Sequence, residues 1–477
     1  MKKFKLFIEN FVIYGLGGII SKLVPLLMVP IVTGLMPDTS YYGISDLSNT
    51  VVSFGSAIAV MGMYDAMYRM FFEKEDEEYK KNICSTAFVF TMVTSILVFL
   101  AMILLQGTIA KYFFGDKKYA YLVYLSAMAT LVGATNQIMS APTRMQNKRR
   151  IYIIANVLSP LISYSISIPL LIKGYYIIAL PLAQVIAGLT LEITYGFLNH
   201  KWFQLKRFDY KLLKPLLVIA IPLLPNFLIY WVFNSCDKVM IANILGTGAS
   251  GIYSVSSKLG HCSQLIYMAF AGGWQYFAFS TMKEDNQVES NSKVFEYLGV
   301  VSFVVTAFVC AWSFFIFDTV FTNDYLDGYI AAPYLFLAPL LQMLFQVACN
   351  QFIVIKKTWP NMVILAGGAG INVLLNWSMI PILGIEGASL ATLFGYIVAV
   401  LIGVLVLIRM KLMVVSKRLI FTTVLTCIYM VVWRLFFHKE ILISNLLAVI
   451  LTLTFIACYK PELKMIYIAL KGKRSSK

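Results

Sequence analysis

The run FVIYGLGGIISKLVPLLMVPIVTGL, residues 11–35, decides how the rest of this chain is read. It is apolar for longer than the ~20 residues that a helix needs to cross a bilayer core of about 30 Å. Yet it carries Lys22 near its middle, with Pro25 and Pro30 beyond. A charge at that depth costs about 2.5–3.5 kcal/mol by insertion scales, so such residues normally face a protein-lined aqueous space. Lys22 therefore marks where something polar passes. The basic residues before the run imitate a signal peptide. However, the run is too long, is interrupted by Lys22 and the prolines, and lacks a small-residue cleavage site, so it reads as a retained first helix.

Thirteen further apolar stretches complete the pattern. The spans are 11–35, 46–69, 83–106, 119–142, 151–172, 177–199, 215–244, 249–277, 295–317, 331–355, 361–381, 387–408, 419–437 and 441–459. The 477 residues are 60% hydrophobic and 13% charged, about half the charge fraction of a soluble protein. Continuous rather than alternating apolar runs exclude a barrel. The fold class is an all-α polytopic membrane protein of about 14 transmembrane helices.

The net charge of +16 would suggest nucleic acid in a soluble protein, but its distribution gives another answer. With the amino end in the cytoplasm, 30 of the 39 Lys and Arg lie on the cytoplasmic side and five outside (Lys111, Lys117, Lys118, Lys173, Lys439). Four lie inside spans: Lys22, Lys238, Lys258 and Arg434, with Arg69, which closes its span at the cytoplasmic face, counted among the 30. That asymmetry obeys the positive-inside rule and places both termini in the cytoplasm. No nucleic-acid partner is implied. The seven cysteines are scattered through the spans without a CxxC or Cys/His pair, which reads as apolar filling rather than a metal site or disulfide.

Internal organisation points to duplication. LMPDTSYYGIS (residues 35–45) and LGTGASGIYS (residues 245–254) are short turns closed by a Gly-Ile pair, six spans apart and so of equal orientation. Pro25 and Pro30 in the first span answer to Pro222 and Pro225 in the seventh. Prolines free backbone carbonyls, which membranes tolerate where they face protein or water. Paired Pro-interrupted segments point to a transport site, and ordinary packing kinks are the alternative. These features predict two pseudo-symmetric six-helix bundles around a central cavity. The N-terminal bundle covers 1–199 and an interfacial amphipathic linker 200–214. The C-terminal bundle covers 215–416, and 417–477 hold two further helices and a basic tail. In the linker, Trp202, Leu205, Phe208 and Leu212 recur at helical spacing between basic residues, the pattern of a helix lying in the membrane interface.

Polar stripes at i, i+3 or i+4 mark the helices that would wall the cavity: Asn49, Ser53 and Ser56; Ser254, Lys258 and His261; Gln342, Gln346 and Asn350; Asn372 and Asn376. Such stripes face inward, either for interhelical bonding or to line water. Lys22, Lys238 and Lys258 would make the cavity cationic and suited to phosphate, a group that lysine binds as a point charge. Lys238 is either neutralised by Asp237 or snorkels outward, and Arg434 reads as snorkelling. Asp65 and Arg69 are four apart and could pair on one helix face. His261 is a candidate proton carrier or simply hydrogen-bonded. There is no phosphate loop, metal motif or serine elbow, so the energy source would be an ion gradient, the membrane potential or consumption of the product.

Together GMYDAMYR (residues 62–69), CDKVMIANILGTGASGIYSVSSK (residues 236–258) and GIEGASLATLFGY (residues 384–396) resemble polysaccharide transporters of the Wzx-type flippase family, in the multidrug/oligosaccharidyl-lipid/polysaccharide exporter superfamily. Where related sequences often show Asp-Arg, this chain has Asp237-Lys238, which keeps charge but not a bidentate fork. The resemblance implies a non-enzymatic flippase in a bacterial-type cytoplasmic membrane. It would carry polyprenyl-diphosphate-linked oligosaccharide to the outer leaflet by alternating access. Lys22, Arg69, Lys238, Lys258, Gln342, Gln346 and Asn372 would bind substrate, with Asp65, Asp237 and His261 coupling ions or gating. No cofactor is implied beyond a proton or sodium gradient. Expected partners are membrane lipids and the polymerase and chain-length machinery. Two alternatives remain: a cation-coupled multidrug exporter of the same superfamily, or an integral-membrane polymerase or glycosyltransferase using Asp318, Asp324 and Asp327.

Overall fold

The computed structural model describes residues 22–464 apart from 268–269, 271–273, 275–277 and 279–283. Among the described residues there is no strand, and 11 helices are long and apolar enough to cross a membrane, or 12 if one bent pair counts as a span. The chain is a multi-pass helical membrane protein. Twelve of the expected spans coincide with these helices. The other two, 11–35 and 249–277, lie partly outside the described residues, as do the first ten residues and the tail after 464.

Helix α1 (Lys22–Gly34) runs through both of its prolines. Helix α2 (Thr39–Val60) starts at Asp38, whose carboxylate accepts the Ser40 N–H at 2.7 Å, a bond that also holds its pKa below the usual range. The span expected at 46–69 is not one straight helix. It divides into α2 and α3 (Met63–Phe71), bent by 46°. The cause is local: Met61 and Gly62 take left-handed φ values of 49° and 75°, which end a helix. Glycine is also needed for contact, since a Cβ at residue 62 would lie 2.6 Å from the Ala220 carbonyl oxygen.

Next come α4 (Glu77–Leu104), capped by Asp76, and a short helix α5 (Gln106–Phe114) where only a loop was expected. Helices α6 (Ala120–Met145), α7 (Arg149–Ile172) and α8 (Ala179–Asn199) complete the first series. Residues 200–214 do not form the expected interfacial helix. They make two 3-10 turns, His200–Trp202 and Leu205–Arg207, around an extended link, and join α9 (Tyr210–Ala220). Contacts with the first turns of α4 compete with helical bonding here. Ser85 Oγ donates to the Trp202 carbonyl and accepts the Gln204 N–H, both at 3.1 Å. Thr86 Oγ1 accepts the Asp209 N–H, and Arg207 pairs with Glu78. Trp202, Phe203 and Leu212 pack on the core of Met67, Phe71 and Cys84.

The span expected at 215–244 is broken as its prolines demand. Pro222 sits in a 3-10 turn, Ile221–Leu223, and Pro225 opens α10 (Leu224–Trp231). A π turn, Val232–Cys236, then leads into α11 (Asp237–Ile244). Beyond are α12 (Thr247–Gly260), α13 (Gln287–Val320), α14 (Ala332–Val354), α15 (Trp359–Leu383) and α16 (Ile385–Arg409). The last pair is α17 (Lys417–Val432) and α18 (Ile441–Cys458).

By packing, the chain falls into two compact units. The first is Met1–Lys258 with Ala369–Ala391, and the second is Leu259–Gly368 with Thr392–Lys477. In the first, α2, α4, α5, α6 and α11 bury Leu47, Met102, Phe114 and Leu122 together. In the second, α14 is buried along most of its length, from Ala332 to Phe352. Interior hydroxyls in both units mostly return to a carbonyl one turn back, as in Thr50 to Asp46 and Thr306 to Ser302, which satisfies them where water is absent.

Candidate functional site

The site in the first unit is built where α2 and α12 cross at their first turns. A Cβ on Gly43 would lie 2.1 Å from the Thr247 carbonyl oxygen, and one on Gly251 would lie 2.0 Å from that of Thr39. Each glycine thus faces the carbonyl one turn before the other glycine, a reciprocal contact that only hydrogen side chains permit. These are the two Gly-Ile turns of the sequence repeat. The same 208-residue offset relates Asp46 to Ser254, and those two are hydrogen-bonded to each other at 2.8 Å. In that register Pro222 and Pro225 fall on Tyr14 and Gly17, so the two proline pairs do not coincide.

One turn past Gly43, Asp46 is 4% exposed and gathers cations. Lys238 Nζ donates to its Oδ2 at 2.6 Å, and Lys258 Nζ stands 3.6 Å from its Oδ1. The π turn before α11 inserts an extra residue and re-aims the side chains of α11. Lys238 then meets α2, while Asp237, the next residue round the helix, points elsewhere and accepts from Tyr253 OH at 2.6 Å and Asn376 Nδ2 at 2.9 Å. Lys238 is therefore neutralised by Asp46, not by Asp237, because adjacent helical residues do not face each other. Two lysines and two aspartates balance formally, so the expected surplus of positive charge is absent from this cluster.

Asp46 and Lys258 also form part of the wall of a cavity of about 510 Å³. Its described lining comes from α1 (Pro25, Val29, Val32), α2 (Tyr42, Ser45, Asn49, Val52), α6 (Ala129, Val132, Gly133, Asn136), α7 (Asn156, Ser159, Pro160, Ser163, Tyr164) and α8 (Leu180, Gln184, Ala187, Gly188, Leu191). Pro25, Val29 and Val32 follow helical spacing, and Lys22, three residues before Pro25, shares that face of α1.

The other expected site residues are dispersed. Arg69 and Asp65 are exposed on α3. Gln342 and Gln346 of α14 accept from Tyr396 at 3.4 Å and Tyr267 at 2.8 Å, in the second unit. Asn372 is fully buried on α15, and His261 stands in the turn ending α12. Arg434 lies in the π turn that ends α17. Asp318, Asp324 and Asp327 are all exposed. Of the expected stripes, Asn49 reaches the cavity, whereas Ser53 accepts from Trp231 Nε1 at 3.1 Å. Sequence reasoning missed Asp46, which stood at the edge of its span. Its spacing to Asn49 and Ser53 extends the same stripe and could have revealed it. Among the described residues no group of His, Cys, Asp and Glu could hold a metal ion.

The site defines a helical membrane protein whose first unit holds a cavity beside a buried charge cluster. Residues 35–329 match the polysaccharide biosynthesis protein family, and the chain belongs to it. Among solved structures it is similar to the lipid II flippase MurJ in an inward closed conformation, at 14% identity and a TM-score of 0.70, covering 95% of this chain and 100% of that one. It is also similar to inward- and outward-facing multidrug resistance MATE transporters of the MOP superfamily, each at 13% identity and a TM-score of 0.57. Those matches cover 83% and 84% of this chain and 98% and 95% of theirs. No curated protein matches it by sequence. The fold is the one these flippase and transporter structures share.

Proposed function

We propose that this protein is a flippase that carries a polyprenyl-diphosphate-linked oligosaccharide across the cytoplasmic membrane, from the inner to the outer leaflet, for surface polysaccharide synthesis. The observation that carries the reading is the unequal hold of Asp46 on its two lysines. Lys238 is close and buried and acts as the neutralising partner. Lys258 is farther away, part exposed and on the cavity wall. A diphosphate entering the cavity competes with Asp46 for Lys258 while Lys238 keeps Asp46 neutral. Lys22, on the cavity face of α1, supplies a second contact. The same neutralisation of Asp46 disfavours a cationic drug as cargo, because no uncompensated carboxylate is left to attract it.

In this reading the repeat of Gly43 and Gly251 reflects two related bundles that rock in alternating access, with both termini cytoplasmic. Asp237 is the candidate for ion coupling to a proton or sodium gradient, and the polymerase machinery takes the product. Polymer export by cells carrying Lys22→Ala with Lys258→Ala tests the phosphate role. The expected result is loss of surface polymer with the protein present in the membrane. Unchanged export would remove both lysines from substrate binding.

A further inference from the structure

The wall of the cavity in the first unit carries, among its apolar side chains, several polar groups that the protein itself does not use. Asn49, Asn136 and Gln184, on three different helices, have no hydrogen-bond partner among the described residues, and neither do Ser159, Ser163 and Tyr164. Elsewhere in this unit hydroxyls return to their own helix, as Thr130 does to Ser126 and Thr190 to Ile186. Two wall atoms, Asn136 Oδ1 and Ser45 Oγ, are buried without a partner. Asn156 spends one N–H on Tyr152 O at 2.8 Å, leaving its carbonyl and second N–H for the cavity. Uncommitted amides at membrane depth are costly unless something polar meets them.

Each amide offers a donor and an acceptor side by side, which matches adjacent hydroxyls or an N-acetyl group. Apolar stretches such as Val29, Val52 and Ala129 between them suit the C–H faces of a sugar ring. Once the cargo's own diphosphate holds Lys258 and Lys22, no other cation is left on the described wall, so an acidic sugar finds no unopposed charge there. The size, about 510 Å³, is that of a small-molecule site.

We infer that this chamber is the subsite that reads the sugar of the cargo, and that it selects neutral or N-acetylated sugars over uronic acids. The inference rests on the flippase reading for its biological sense. It moves sugar recognition away from Gln342 and Gln346, whose carbonyl oxygens already accept from tyrosines.

Saturation-transfer NMR on the purified full chain, in a detergent without a sugar head group, tests it independently of transport. The probes, each added with saturating inorganic pyrophosphate to occupy Lys258 and Lys22, are cellobiose, chitobiose and a glucuronate-containing disaccharide. Transfer to the first two is expected, at least fivefold weaker to the third, and abolished by Asn136→Leu with Gln184→Leu. Gln342→Ala with Gln346→Ala should leave it unchanged. A folded wild type that binds none of the three, or binds all equally in the Asn136/Gln184 variant, overturns the inference. Sugar binding intact in a protein that moves no lipid-linked substrate would uphold the subsite and sink the flippase reading. Mixed results are resolved by Asn49→Ala alone, which leaves the hydrogen bonds of the fold intact and should still weaken chitobiose transfer.

Discussion

Removing either side of the Asp46–Lys238 pair should not be equivalent, and the difference arises from the distances. Lys238→Met deletes a bond of 2.6 Å, but Asp46 keeps Ser254 at 2.8 Å and Lys258 at 3.6 Å. The expected loss is about 1–3 kcal/mol, the cost of an under-satisfied buried group. Asp46→Asn leaves a buried ammonium at Lys238 with a second ammonium nearby and no carboxylate between them. That is a broken buried ion pair, and the expected loss is about 3–5 kcal/mol. The double variant removes both buried charges and should lose less than Asp46→Asn alone, giving a coupling of roughly 2–4 kcal/mol. Reversible unfolding titrated with dodecyl sulfate in mixed micelles measures the cycle. If Lys238→Met proves as damaging as Asp46→Asn, or the two losses add, the charge cluster is not organised around Asp46.

Three other perturbations test the frame that holds the site. Gly43→Ala drives a methyl to 2.1 Å from a backbone carbonyl, forcing α2 and α12 apart at a cost of about 1–3 kcal/mol or more. Its unfolding midpoint should fall, and an unchanged midpoint would mean that the crossing is not tight. Gly62→Ala combines a φ of 75° with a 2.6 Å approach to Ala220 and should lose at least about 1–2 kcal/mol, whereas Met61→Gly at the same bend should be tolerated. In the second unit, Glu296 accepts from Ser416 at 2.6 Å and Tyr459 at 2.7 Å. Glu296→Ala should cost about 1–3 kcal/mol and speed proteolysis at residues 411–416, measurable by limited digestion.

The membrane class and nearly all helix positions were legible in the sequence because a span is set by length and composition. The chemistry of the interior was legible only in part. Lys22, Lys238 and Lys258 stood out because a charge in an apolar run is rare. The counter-charge of Lys238 and Lys258, Asp46, did not, since it comes from a helix about 200 residues away in sequence and sat at a span's edge. The break at Met61–Gly62 escaped notice because left-handed φ leaves little mark in hydropathy. The register of the π turn, which decides that Lys238 rather than Asp237 meets α2, depends on packing between helices. The amides of α6 to α8 were passed over because they are dispersed along their helices and converge only in the fold.

The most direct test of the central claim is head-group translocation in proteoliposomes, using a polyprenyl-diphosphate oligosaccharide and a membrane-impermeant sugar-modifying probe outside. Wild type and Lys258→Ala are run together after both are shown to be folded. The expected result is protein-dependent exposure of the sugar that falls at least tenfold in the variant. Translocation that proceeds equally well without Lys258 would contradict the claim.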